Sequence, residues 1–143
     1  MSSTQRYGML VVGVAAICLA GAAVAANVRA KADVTCRSAS DKLVYDCVIK
    51  LTNSRTGEPL TGIMVTVGAD MPSMPMAHNV PPVKATPGQA AGEYRTRIVL
   101  EMHGEWALRL DLSGAVRDRV ITMMRFETNG AAPAVDAPAP HKH

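Results

Sequence analysis

Aromatic residues are scarce in this chain: one Trp, one Phe and three Tyr among 143 residues. Rows of stacking rings, the usual platform for single-stranded nucleic acid, are therefore excluded. Runs of one charge are lacking too. The formal net charge is +3 and the basic residues are scattered, so no patch tracks a phosphate backbone and no nucleic-acid partner is expected. There is no internal repeat and no long helical periodicity. No serine sits in a recognisable nucleophile elbow and no carboxylates pair in an acid/base motif, so covalent chemistry is not expected and the chain is read as a non-enzyme. What is present suits one domain with one core: the hydrophobic content is 48%, drawn mostly from Ala, Val, Leu, Ile and Met.

The N-terminus bears on the compartment. Tyr7 to Ala26 carries no charge, Arg6 precedes it, and it closes on the small residues Gly21-Ala22-Ala23-Val24-Ala25-Ala26. This is the pattern of a secretory signal peptide over residues 1–26, with Ala23/Ala25 or Val24/Ala26 offering the small side chains a leader peptidase requires. The alternative is an uncleaved membrane anchor, since such an uncharged stretch is just long enough to span a bilayer. Cys18 follows Ile17, where a lipobox needs a small residue, so a lipoprotein is not indicated. Either reading puts the remainder outside the cytoplasm, in the periplasm.

Beyond that segment only Cys36 and Cys47 remain. An even cysteine count in an exported domain suggests a disulfide. If Val34 to Arg37 pairs with Leu43 to Thr52 around Ser38-Ala39-Ser40-Asp41-Lys42, the two thiols face each other in a hairpin. A metal-binding cysteine pair is the weaker alternative, because the C-x-x-C spacing of such sites is absent.

The rest reads as an all-β chain. Leu43 to Thr52 is β-branched and apolar and runs into the turn formers Asn53-Ser54-Arg55-Thr56-Gly57-Glu58-Pro59. Ile63 to Val67 gives another strand. Gly92 to Leu100 places Tyr94, Thr96, Ile98 and Leu100 on one face, and Trp106, Leu108, Leu110 and Leu112 alternate with Ala107, Arg109 and Asp111. Val116 to Glu127 supplies the last strand. The expectation is an immunoglobulin-like two-sheet β-sandwich of about seven strands over residues 27–127, with Trp106 in its core. Residues 128–143, rich in Ala and Pro and ending His141-Lys142-His143, are expected to form a disordered tail whose His141 and His143 are possible accessory metal donors.

The chemistry gathers in one segment, Gly68 to Pro82. Its four prolines, Pro72, Pro75, Pro81 and Pro82, remove ladder donors and place it at a sheet edge or rim. In an extended backbone Met74, Met76 and His78 would project to the same side, with Met71 approaching from the turn. Met102 and His103, in the turn before Gly104, offer a second set of donors. Thioether sulfur is soft and neutral and suits Cu(I), while imidazole binds both Cu(I) and Cu(II). Zinc is less well matched, because its sulfur ligands are thiolates. Methionine also fills gaps in cores and adaptable surfaces. A Met-rich edge that docks on a membrane transporter or oxidase without metal is therefore the alternative, and Met64, Met123 and Met124 are read as core or sheet-surface residues.

Met71-Pro72-Ser73-Met74-Pro75-Met76-Ala77-His78-Asn79, Gly92-Glu93-Tyr94 and Met102-His103-Gly104-Glu105-Trp106-Ala107-Leu108 together resemble the YtkA-like domain family, related to FixH-like proteins, over about Leu43 to Glu127. The resemblance implies an immunoglobulin-like sandwich exposed to the periplasm or cell exterior, often anchored or secreted, and in several members a link to copper handling or heavy-metal efflux. It makes Met74, Met76 and His78 the expected ligands, with Met102 and His103 opposite. The Cys36/Cys47 pair and the His-ending tail are not part of the quoted pattern. The expected function is a periplasmic copper-binding protein, preferring Cu(I), that sequesters the ion or passes it to a transporter, an oxidase or another copper protein.

Overall fold

Strand-forming residues alternate inward and outward along almost every segment of the computed structural model, which describes residues 27–134. The signal peptide or anchor expected over residues 1–26 lies outside the described residues, as do His141 and His143. The elements are β1 Ala30–Ser38, β2 Val44–Asn53, β3 Ile63–Asp70, β4 Asn79–Lys84, β5 Thr86–Pro87, β6 Glu93–Val99, β7 Gly104–Gly114, β8 Asp118–Glu127 and β9 Gly130–Pro133. The described chain is all-β and every strand pairing is antiparallel.

The strands form one sheet in the order β4-β3-β7-β8-β9-β1-β2-β6-β5. It folds over so that β4 lies against β6 and nearly closes into a barrel. The two layers expected of a sandwich are thus continuous, joined through β9. Contacts across the interior show the two halves facing each other. Tyr45 of β2 meets Phe126 of β8 edge-on with ring centroids 4.8 Å apart, the T-shaped geometry that aromatic quadrupoles favour. The Tyr45 hydroxyl donates to the Glu127 carbonyl at 2.8 Å, and burial pushes its phenol up from the ordinary tyrosine value. Tyr94 of β6 donates to the Leu60 carbonyl at 3.0 Å and accepts from the Ile63 amide at 3.2 Å. Both hydroxyls are therefore satisfied where their rings are buried.

Trp106, Leu108, Leu110 and Leu112 point into the core as the period-two pattern requires, and so do Tyr94, Ile98 and Leu100. Met124 is also buried, whereas Met64 is exposed. In the first hairpin Cys36 stands directly opposite Cys47, and the two form a disulfide.

Two expectations are corrected. The strands number nine rather than about seven, because β4, β5 and β9 are short, proline-bearing segments that a period-two apolar pattern does not mark. Of the Gly68 to Pro82 segment expected at an edge or rim, the part that forms β4 does end the sheet on one side, carrying Pro81 and Pro82, and β5, carrying Pro87, ends it on the other. The folded chain also does not stop at Glu127. Thr128 and Asn129 turn it back, and β9 pairs with β8 from Glu127↔Gly130 to Met124↔Pro133 and with β1 at Cys36↔Ala131. Composition suggested a tail because Ala, Gly and Pro bury little side chain, but β9 is held by backbone ladders that need little side-chain volume.

Candidate functional site

Asp70, the last residue of β3, pairs with Asn79 of β4 on one side and Ala107 of β7 on the other. The segment 71–78 and the 100–103 connection into β7 therefore emerge at the same end of the sheet. The first is not the extended ribbon expected. It is two consecutive turns, with the Met74 amide donating to the Met71 carbonyl at 3.0 Å and the Ala77 amide to the Met74 carbonyl at 3.2 Å. Pro72 and Pro75 each occupy the second position of a turn, where their fixed φ is already correct. Met76 follows Pro75 with φ 69°, the left-handed third position of a type II turn that Gly or Asn ordinarily fills.

This overturns the alternation that put Met74, Met76 and His78 on one side. Alternation needs a strand, and beyond the Met71 amide, which donates to the His78 carbonyl at 3.4 Å, residues 72–77 have no ladder partner. Met76 is 98% exposed and Met74 38% exposed, while Met71 is 4% exposed and belongs to the core. The Met71 side chain packs at Gly104, where an added Cβ would come 3.3 Å from its terminal methyl carbon and where φ is +135°. A side chain at 104 would meet both obstacles.

An L-residue held left-handed without compensating contacts costs about 1 kcal/mol. Met76→Gly should therefore stabilise the fold by about that amount, whereas Met76→Leu should leave it unchanged. Chemical denaturation of the three proteins measures both, and a destabilised Met76→Gly would show that the turn relies on the Met76 side chain.

The second connection supplies Glu101, Met102 and His103. Trp106, fully buried, donates its indole N–H to the Met102 carbonyl at 3.2 Å and so pins this loop to the core. His78 stands edge-on to the Trp106 ring, centroids 6.4 Å apart and planes at 66°. Its Nδ1 is hydrogen-bonded to Oε2 of Glu101. The two loops thus meet through His78 and Glu101 at the surface and through Met71, Gly104 and Trp106 beneath. Met102, 37% exposed, and His103, also exposed, lie on this rim.

Of the sequence-predicted donors, Met74, His78, Met102 and His103 stand on the two abutting loops, Met76 stands clear of the protein, and Met71 is committed to packing. Sequence reasoning missed Glu101, although it directly precedes Met102-His103. It also gave Trp106 a core role without its link to the loop. Among the described residues no group of three or more His, Cys, Asp or Glu side chains is placed to hold a metal ion, so the polar donors here do not make a hard-metal cage. The side chains on these two loops are exposed thioethers, Met74 and Met102, together with the imidazoles of His78 and His103.

A model of the YtkA-like family matches residues 26–111, more than half of the chain. The match begins before β1 and ends within β7, so it takes in the Cys36–Cys47 hairpin, whose first strand lies outside the motif resemblance over Leu43 to Glu127. No curated protein and no solved structure gives a significant match.

Proposed function

The chain belongs to the YtkA-like family, and from that membership together with the rim geometry we propose that it is a periplasmic copper-binding protein that sequesters Cu(I) or hands it to a transporter, an oxidase or another copper protein. The observation that carries the reading is the meeting of the 71–78 and 100–103 loops at His78 and Glu101, with the exposed thioethers of Met74 and Met102 on either loop. Buried methionine is explained by packing, but thioethers turned to solvent on adjoining loops gain little from it. As ligands they are soft, uncharged and indifferent to mild acid, and His78 adds a nitrogen able to accept copper in either oxidation state. The role is binding and transfer of the ion, with no covalent step.

Met76 extends the reading to a partner. Standing clear at the tip of its turn, it is the first thioether an approaching protein would touch, which suits exchange of a soft ion by ligand replacement. His141 and His143 are accessory donors in the same proposal. Docking without metal draws support from the groove beside the site, about 350 Å³ and lined by Val80, Pro81, Val83, Val99 and Leu100 with Arg97 and Glu101 at its margin, but it leaves the exposed thioethers of Met74 and Met102 without a purpose.

Competition for Cu(I) against a chromophoric chelator tests the proposal. The purified protein should take up the ion stoichiometrically. Met74→Leu, Met102→Leu and His78→Ala should each weaken binding about tenfold or more while leaving unfolding nearly unchanged, since losing one ligand bond removes on the order of 1.4 kcal/mol or more. Wild-type affinity in all three variants would refute the site, and absence of uptake would favour docking.

A further inference from the structure

We infer that Glu101 is a positioning residue for this site: its carboxylate accepts a hydrogen bond from the Nδ1–H of His78 and thereby leaves Nε2 as the nitrogen presented to a metal. The inference rests on the copper reading of the rim and deepens it. The argument starts from the contact between His78 Nδ1 and Glu101 Oε2. An ionised carboxylate only accepts hydrogen bonds, so in the neutral ring the proton must lie on Nδ1 and the lone pair on Nε2. Left to itself in water, the ring has no such constraint.

The other ring nitrogen is open. Nε2 has no hydrogen-bond partner among the described residues, and none of their side-chain nitrogens or oxygens is both buried and unpaired. It is therefore not sealed from solvent, although the His78 side chain as a whole is only 26% exposed. The ring is held on a second side by Trp106, against which it stands edge-on. Trp106 in turn bonds the Met102 carbonyl. One carboxylate and one indole thus fix the tautomer and the plane of the imidazole relative to the loop that carries Met102. A carboxylate behind a ligating histidine also makes the ring a stronger donor, and loss of such a partner commonly costs tenfold or more in metal affinity.

A plain surface ion pair is the competing account. Glu101 is 55% exposed at its side chain, and pairs this open contribute little to folding. That account predicts that nothing but the contact itself is lost when Glu101 is removed.

The experiment combines the tautomer of His78 in the metal-free full chain, read from imidazole ¹⁵N shifts well above the ordinary imidazole titration range, with Cu(I) affinity by chelator competition. In the wild type Nδ1 should be protonated and Nε2 not. Glu101→Ala should shift the population toward the Nε2-protonated form and weaken Cu(I) binding about tenfold, with thermal unfolding unchanged. Glu101→Gln keeps an acceptor oxygen and should restore the tautomer with a smaller loss of affinity. A wild type that binds Cu(I) but carries its proton on Nε2, or a Glu101→Ala variant with wild-type tautomer and affinity, overturns the role of Glu101 alone. A wild type that binds no Cu(I) overturns the proposed function and this inference with it, whatever the tautomer.

Discussion

Replacing Trp106 with alanine should lower the free energy of unfolding by about 3–5 kcal/mol, the range for emptying a large buried aromatic site. Trp106 is fully buried, in a core it shares with Leu108, Leu110, Phe126 and Met71. The backbone cannot collapse to fill the space, because β7 is paired with β3 on one side and β8 on the other. Part of the loss is polar: without the indole N–H, the Met102 carbonyl loses its bond. Trp106→Phe isolates that part, keeping a ring but removing the donor, and should cost about 1–3 kcal/mol. Denaturant unfolding followed by circular dichroism measures both, since Trp106 is the only tryptophan and its loss removes the fluorescence probe. A loss below about 1 kcal/mol in Trp106→Ala would mean that the rim loops repack around the gap.

The second large effect belongs to the first hairpin. Removing the Cys36–Cys47 disulfide, by reduction or by the double change Cys36→Ala and Cys47→Ala, should destabilise the fold by about 2–4 kcal/mol. The bridge joins residues separated by 11 in sequence, so the loop it closes in the unfolded chain is short and the entropic gain sits in the lower half of that range. Both cysteines are buried, and the alanines also leave space for sulfur unfilled. Unfolding curves with and without reductant separate the contributions. Reductant should shift the wild type and leave the double variant where it was. An unshifted wild type would show that this hairpin is held by the ladder alone.

Much of the fold was legible because period-two burial is written directly into the chain. Trp106 to Leu112 and Tyr94 to Leu100 required no tertiary knowledge. Met71 was legible by the same rule and was missed: Ile63, Val65, Val67 and Ala69 face inward along β3, and Met71 is the next member of that series. The turns at Pro72 and Pro75 were harder, since proline's φ suits both an extended edge and the second position of a turn, and only the hydrogen bonds from Met74 and Ala77 decide between them. For β9 the Asn129-Gly130 pair was a turn signal outweighed by an Ala/Pro composition. The pairing of Glu101 with His78 joins residues 23 apart in sequence, and no local pattern carries it.

The two ends of the sheet have a further consequence. An edge strand exposes unpaired amides and carbonyls that can template a neighbouring chain into a growing stack. In β4, Pro81 and Pro82 are adjacent and carry no N–H, so a donor is missing toward either side of the strand, and in β5 Pro87 ends a strand already only two residues long. The prolines thus shorten the run of donors at the strands that end the sheet. At these two segments, among the described residues, edge-to-edge stacking of one copy on another should therefore be disfavoured.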